Sequence, residues 1–258
     1  MRPKKLLYNH GWWATGVIVG ALFALTNTWV VWFALALLIA LIIESGIVFL
    51  YLRGREPGAV WAATGMIMIT ISSAGALLLF LERTLFKIPL IGVIVFLLLF
   101  AHYTLRSAWL HRDVDVRIMA RDSMRLLAFG SVFFYGAVFF ATLFYFGVGI
   151  AHLLLPLLLV PFGVSMIHGW FDHPAIRTRI VHSVGAEILM LESLVVLLFL
   201  PVSYGFSALV ILLTYFLYDE YVSRPSQEHG GAHQNDRAIS FVIAGIVISL
   251  LLAVARWR

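Results

Sequence analysis

Residues 184–221 read VGAEILMLESLVVLLFLPVSYGFSALVILLTYFLYDEY, an almost unbroken apolar run that is about twice as long as one membrane-spanning helix requires. A helix rises about 1.5 Å per residue, so about 20 residues cross a hydrocarbon core of about 30 Å. The segment Pro201-Val202-Ser203-Tyr204-Gly205 interrupts the run with turn-forming residues. The stretch therefore predicts two membrane helices, 184–201 and 205–221, that form a tight hairpin.

The composition of the whole chain agrees with this interpretation. Of its 258 residues, 62% are apolar and 12% are charged, whereas a soluble domain is about half apolar and about a quarter charged. These values exclude a water-soluble globular protein, a disordered chain and a disulfide-rich module. The absence of cysteine from the sequence also excludes disulfides, cysteine-ligated metal centres and a thiol nucleophile.

The same pattern of apolar runs extends over the chain. We expect an all-α, polytopic integral membrane protein with one transmembrane domain over residues 1–258 and nine helices. The predicted spans are 12–27, 29–52, 60–81, 87–105, 126–147, 150–170, 184–201, 205–221 and 238–255.

The basic residues predict the orientation of these spans. With the N-terminus inside, only Arg83, Lys87, Arg256 and Arg258 of the 18 Lys and Arg residues fall on the outer side. This strong bias favours an N-in, C-out topology in a prokaryotic inner membrane, with the N-terminus in the cytoplasm. Because the net charge of +5 comes from short loops, the lipid bilayer explains it, and nucleic acid is not an expected partner.

Polar residues gather at the predicted inner helix ends, so a binding site is expected to open to the cytoplasm. His102 and Arg106 share a helix face at i,i+4, as do His168 and Asp172. A carboxylate at that spacing can orient an imidazole for metal binding or proton transfer. The alternative is a set of interfacial histidines that bind helix ends and lipid headgroups. The candidate ligand-binding residues are His10, His102, Arg106, His168, Asp172, His173, Arg177 and His182.

Two glutamates, Glu44 and Glu192, fall inside predicted spans, each about 13 Å from the inner end. An ionisable group at this depth is costly and is therefore a functional candidate. One hypothesis is a proton-labile or cation-binding pair that faces a cavity. The other is that each glutamate is neutral and forms a hydrogen bond to a neighbouring helix.

The sequence names no cofactor or metal. A single haem held between His102 and His168 is one hypothesis. His229 and His233 form an HxxxH pattern in the polar loop 228–236, which is typical either of a metal site or of a solvated linker. The basic connection 106–125 contains i,i+4 charge pairs such as Asp113–Arg117, which favour a short surface helix. Its arginines either bind lipid phosphate or an anionic substrate, or form a solvated positive loop on the inner side, and the second alternative is favoured.

The opening His10-Gly11-Trp12-Trp13 resembles that of the YwiC-like family of bacterial membrane proteins, as does the stretch Arg177-Thr178-Arg179 to Gly185-Ala186-Glu187. The nine-span, N-in topology resembles the UbiA prenyltransferase superfamily and implies a UbiA-like helical bundle. Members of that superfamily hold Mg²⁺ with Asp-rich motifs. The corresponding connections here provide only Glu56 and Asp172, too few hard oxygen ligands for that chemistry, so Mg²⁺-dependent prenyl transfer is not expected.

Three hypotheses for function follow, and whether the protein is an enzyme stays open. The first is binding of a lipid, quinone or isoprenoid-like molecule in a cytoplasm-facing pocket lined by His and Arg. The second is a proton-coupled or small-solute transporter that uses Glu44 and Glu192. The third is a membrane subunit of a respiratory complex, with protein partners and one haem.

Overall fold

In a computed structural model of the chain, the described residues are helical apart from short connections, and they contain no strand. The predicted all-α fold is therefore confirmed for this part of the chain. The predicted spans 12–27 and 238–255, and most of 29–52, lie outside the described residues, so the number of nine helices stays a prediction. The structure describes residues 35, 38–43, 45–46, 57–81, 84–110, 114–172, 175–200 and 202–220.

Six helices follow one another along this part of the chain, separated by short connections. Their bounds are α1 Pro57–Phe80, α2 Thr84–Leu110, α3 Val114–Phe146, α4 Ile150–Asp172, α5 Ile176–Leu198 and α6 Tyr204–Tyr218.

Four of these helices contain a stretch that is long and apolar enough to cross a membrane, and α4 and α6 contribute shorter apolar stretches, Leu158–Trp170 and Tyr204–Tyr218. By length and composition, the described helices are those of a multi-pass membrane protein. The four long stretches are Trp61–Phe80, Phe86–Leu105, Ala120–Phe146 and Ile176–Leu198.

Helix α3 begins at Val114, although the apolar pattern predicts a span only from residue 126. Much of the predicted connection 106–125 is thus helical, and the predicted surface helix continues directly into the span. The reason is that a hydropathy profile assigns charged segments to loops. The segment 114–129 nevertheless contains neither Gly nor Pro, and charges spaced at i,i+4 support a helix.

Helix α5 also begins earlier than predicted, at Ile176 rather than at residue 184. The predicted connection 171–183 is therefore shorter, and Arg177, Arg179 and His182 lie on a helix instead of in a loop. Here too the charged side chains lower the hydropathy without interrupting the helix, since arginine is a good helix former.

The chain divides into two compact units, Met1–Ser131 and Val132–Arg258, and the boundary falls within α3. In the first unit, hydroxyl groups join the helices. The Thr70 and Ser131 hydroxyls on α1 and α3 lie 2.7 Å apart, and Thr104 on α2 donates to the Ser123 hydroxyl on α3 over 2.6 Å. Apolar side chains such as Met66, Leu98 and Leu127 are fully buried around these bonds.

In the second unit, α5 packs against α4 and α6. The last turns of α3 pack against the beginning of α6, where the rings of Tyr145 and Tyr204 have their centroids 6.0 Å apart. A Cβ atom on Gly136 of α3 would lie 3.4 Å from the Ala208 backbone of α6, so small residues permit this close approach. Helix α3 ends at Phe146 and is followed by Gly147, whose φ of +59° favours glycine.

Candidate functional site

Several candidate residues lie outside the part of the chain that can be described. His10, Glu44 and His173 belong to this group, as does the loop 228–236 with His229 and His233. Arg106 and Asp172 lie in the helical backbone near the ends of α2 and α4. The predicted roles of these residues stay predictions.

Two predicted histidines are buried, but they belong to different units. His102 on α2 is buried in the first unit, and His168 on α4 is buried in the second. A ligand or a haem shared by the two histidines therefore stays a prediction, and the contacts of His168 with Tyr215 and Asp219 lie within the second unit.

The best-defined polar contacts surround His168, near the end of α4. Its Nδ1 atom lies 3.1 Å from the Tyr215 hydroxyl and 3.4 Å from Oδ1 of Asp219. Tyr215 lies near the end of α6 and Asp219 directly after it, and both are buried. These contacts fix the plane of the imidazole ring.

Arg179, on the first turn of α5, is buried at the same end of these helices. Its guanidinium carbon lies 3.9 Å from the centre of the Trp170 ring, a cation–π contact. A Cβ atom on Gly169 would lie 3.3 Å from Arg179 Cγ, so the arginine side chain packs directly on this glycine. We call His168, Arg179, Tyr215 and Asp219 the end cluster.

Arg177 and His182, the other two predicted residues of this region, differ from the end cluster in how far they are buried. Arg177 is exposed, and it is Arg179, which the sequence analysis did not select, that is buried. His182 is half-buried, and its carbonyl accepts a hydrogen bond of 2.8 Å from the Tyr218 hydroxyl. Gly185 makes room for Tyr218, because a Cβ atom there would collide with the tyrosine hydroxyl.

The buried face of α5 has a polar half and an apolar half. Arg179, Ser183 and Glu187 follow one another at intervals of four residues, and apolar side chains continue the same face toward the end of the helix. Glu187 is the middle residue of this 23-residue helix. The buried residues are Arg179, Ser183, Ala186, Glu187, Met190, Leu194 and Leu197.

Glu187 is only 8% exposed, and within the described part of the chain neither of its carboxylate oxygens has a hydrogen-bond partner. The same holds for the buried hydroxyl of Ser183, one turn earlier. The hydroxyl of Tyr135 on α3 is a third such group, and it lies within electrostatic range of Glu187. We call Glu187, Ser183 and Tyr135 the mid-span group.

Glu192, the glutamate that the sequence analysis selected on this helix, has a different environment. Its side chain is exposed, and because α5 begins at Ile176, it lies nearer the end of the helix than the start. Glu187 was not predicted from the sequence, although the spacing of Arg179, Ser183 and Glu187 indicates that these residues share one face of the helix.

The described residues contain no group of three or more His, Asp or Glu side chains placed to hold a metal ion. The end cluster can donate hydrogen bonds and accept them, and the mid-span group offers oxygen atoms alone. No protein-family model, curated protein or solved structure matches this chain.

Proposed function

We propose that this protein binds a membrane-soluble amphiphile, a lipid, quinone or isoprenoid-like molecule, and that the end cluster of the second unit recognises its polar head group. In this proposal the protein spans a prokaryotic inner membrane with nine helices, and the end cluster lies near the cytoplasmic surface. The distribution of basic residues along the sequence supports this orientation.

The observation that carries the proposal is the burial of His168, Arg179 and Asp219 together at one end of three apolar helices. Ionisable residues are rare within apolar membrane helices and are functional candidates where they occur. Arg179 presents a planar donor group that suits a carbonyl, carboxylate or phosphate oxygen. The apolar surfaces of the neighbouring helices suit a hydrocarbon tail.

The resemblance to the UbiA superfamily supports a helical bundle that binds such molecules. Mg²⁺-dependent prenyl transfer is not part of the proposal. The end cluster contains one carboxylate, that of Asp219, whereas Mg²⁺ binding to a diphosphate uses several hard oxygen ligands.

Native mass spectrometry of the full-length protein, extracted from its membrane in mild detergent, tests this proposal. We expect a co-purified lipid or quinone that is lost from Asp219→Asn and Arg179→Gln, because each change removes a charge from the end cluster. Arg177→Gln is the matched control, since Arg177 is exposed on the same turn of α5, and it should retain the ligand. Equal ligand in all three variants would exclude the end cluster as the binding site.

A further inference from the structure

We propose that the mid-span group, Glu187, Ser183 and Tyr135, is a binding site for a small monovalent cation, a proton or Na⁺. This site is separate from the end cluster and goes beyond amphiphile binding. It also moves the predicted role of an intramembrane glutamate from Glu192 to a residue that the structure buries.

The position of Glu187 is the first step of the argument. It is the middle residue of a stretch that is long and apolar enough to span a membrane, and it lies on the buried face of the helix. A charge at the centre of a bilayer costs about 3 kcal/mol even on the mildest scales. A leucine at position 187 would continue the apolar row formed by Met190 and Leu194. A carboxylate at this position is therefore expected to have a function.

The second step is that the site offers three kinds of unsatisfied oxygen. In the part of the chain that the structure describes, the Glu187 carboxylate and the Ser183 and Tyr135 hydroxyls are buried without hydrogen-bond partners. A bound proton would neutralise the carboxylate and make it a donor to a neighbouring hydroxyl. A bound Na⁺ would instead accept lone pairs from oxygen atoms of the group.

The third step concerns the surrounding charges. The titratable groups on the packed helices include Tyr135 on α3, His168 on α4, and Tyr215, Tyr218 and Asp219 with α6. On α5 itself, Arg179 lies two turns before Glu187, about 12 Å along the axis, which is too far for a direct ion pair. His182 lies five residues before Glu187, about 140° around the helix, and so on a different face. A bound cation would supply the positive charge that this face lacks next to the carboxylate. Arg179 and Ser183 lie on the same buried face as Glu187, between the start of the helix and the site.

Labelling with dicyclohexylcarbodiimide tests the site, because this reagent modifies protonated carboxyl groups in apolar surroundings. The full-length protein, purified in detergent without Na⁺, is treated at a series of pH values, and mass spectrometry locates the adduct. We expect an adduct on Glu187 that decreases as the pH rises. If Na⁺ is a ligand, added NaCl will reduce labelling at constant pH, whereas KCl at equal ionic strength will not.

Variants on the same helix provide the controls. Glu187→Gln should lose the adduct, whereas Glu192→Gln should keep it. Glu187→Asp restores a carboxyl group and should be labelled again, which separates loss of the site from misfolding. Asp219→Asn should also keep the adduct, so failure of amphiphile binding and failure of this site are distinguishable.

Two further variants test the hydroxyl groups. Ser183→Ala and Tyr135→Phe should each shift the pH at which labelling is half-complete, because each removes an oxygen close to the carboxylate. Absence of label on Glu187 at every pH would overturn the proposal. An unchanged midpoint and unchanged Na⁺ protection in both hydroxyl variants would also overturn it, since Glu187 would then act without the other two.

Discussion

Some buried polar groups of the two units differ in whether they have hydrogen-bond partners. In the first unit, Thr70 pairs with Ser131, and Thr104 pairs with Ser123, so these hydroxyls of neighbouring helices satisfy each other. In the second unit, His168 contacts Tyr215 in the same way, but the carboxylate of Glu187 and the hydroxyl of Ser183 have no such partner among the described residues.

Buried polar groups can have two different roles in an apolar protein, depending on whether they have hydrogen-bond partners. A paired hydroxyl holds two helices together and needs no ligand, and such bonds contribute about 0.6 kcal/mol on average. An unsatisfied buried group costs about 1–3 kcal/mol, and that cost is recovered when a ligand binds. The paired hydroxyls of the first unit thus have the pattern of a scaffold, whereas the unsatisfied groups of the second unit are the ones that we propose to bind a ligand.

The largest expected effect comes from replacing Glu187 with leucine, which would remove the difference between the units. Because an apolar side chain needs no partner, Glu187→Leu should stabilise the protein by about 3 kcal/mol. Thermal unfolding in detergent measures the change. Glu187→Gln is the control at the same position, and it should gain less because its amide still needs partners. A variant Glu187→Leu that is less stable than the wild type would show that the glutamate already has a structural role.

The next effect tests the packing that holds the second unit together. Gly185→Ala should destabilise the protein by about 2 kcal/mol, because its new methyl group would displace Tyr218 from the His182 carbonyl. The comparison is with Gly163→Ala on α4, where an added Cβ atom meets nothing within 4 Å. Denaturation of both variants under the same conditions should show a loss for Gly185→Ala only.

A smaller effect is expected at Tyr215, whose hydroxyl contacts His168. Tyr215→Phe should cost about 1 kcal/mol of stability, the typical value of one hydrogen bond, and should reduce the amount of co-purified amphiphile. The exposed tyrosine Tyr145 of α3 provides the matched change Tyr145→Phe, which should leave the amount of co-purified amphiphile unchanged. If both variants retain the ligand equally, the His168–Tyr215 contact is structural.

The smallest effect should come from the paired hydroxyls of the first unit. Thr70→Val keeps the shape of the side chain and should cost about 0.6 kcal/mol, the average for a hydrogen bond between membrane helices. Thr142→Val is the control, because among the described residues the Thr142 hydroxyl donates to the Val138 carbonyl of its own helix and not to another helix. A double-mutant cycle with Ser131→Ala isolates the pair, and a coupling energy near zero would contradict its proposed role.

The sequence predicted the described helices well wherever the residues were apolar, because an apolar run of sufficient length has few alternatives to a spanning helix. It failed at charged helix starts. Hydropathy treats Arg117 or Arg179 as part of a loop, whereas helix formation depends on backbone geometry and on the absence of Gly and Pro.

The site was predicted only in part, for a related reason. His168 stood out because it lies at the end of an apolar run, and the structure buries it beside Tyr215. Its role in ligand binding stays a prediction. Glu187 and Glu192 lie on the same apolar helix, and only the neighbouring helices decide which of them is covered. The sequence of α5 alone does not contain that information.

The short connections of the second unit affect when the proposed binding residues come together during folding. Apart from Tyr135, every residue of the end cluster and the mid-span group lies between His168 and Asp219, on consecutive helices joined by residues 173–175 and 199–203. Contacts between sequence neighbours form quickly, since little chain entropy is lost in closing short loops. During synthesis, which proceeds from the N-terminus, these groups can meet as soon as α6 has inserted, before the residues that follow it are translated.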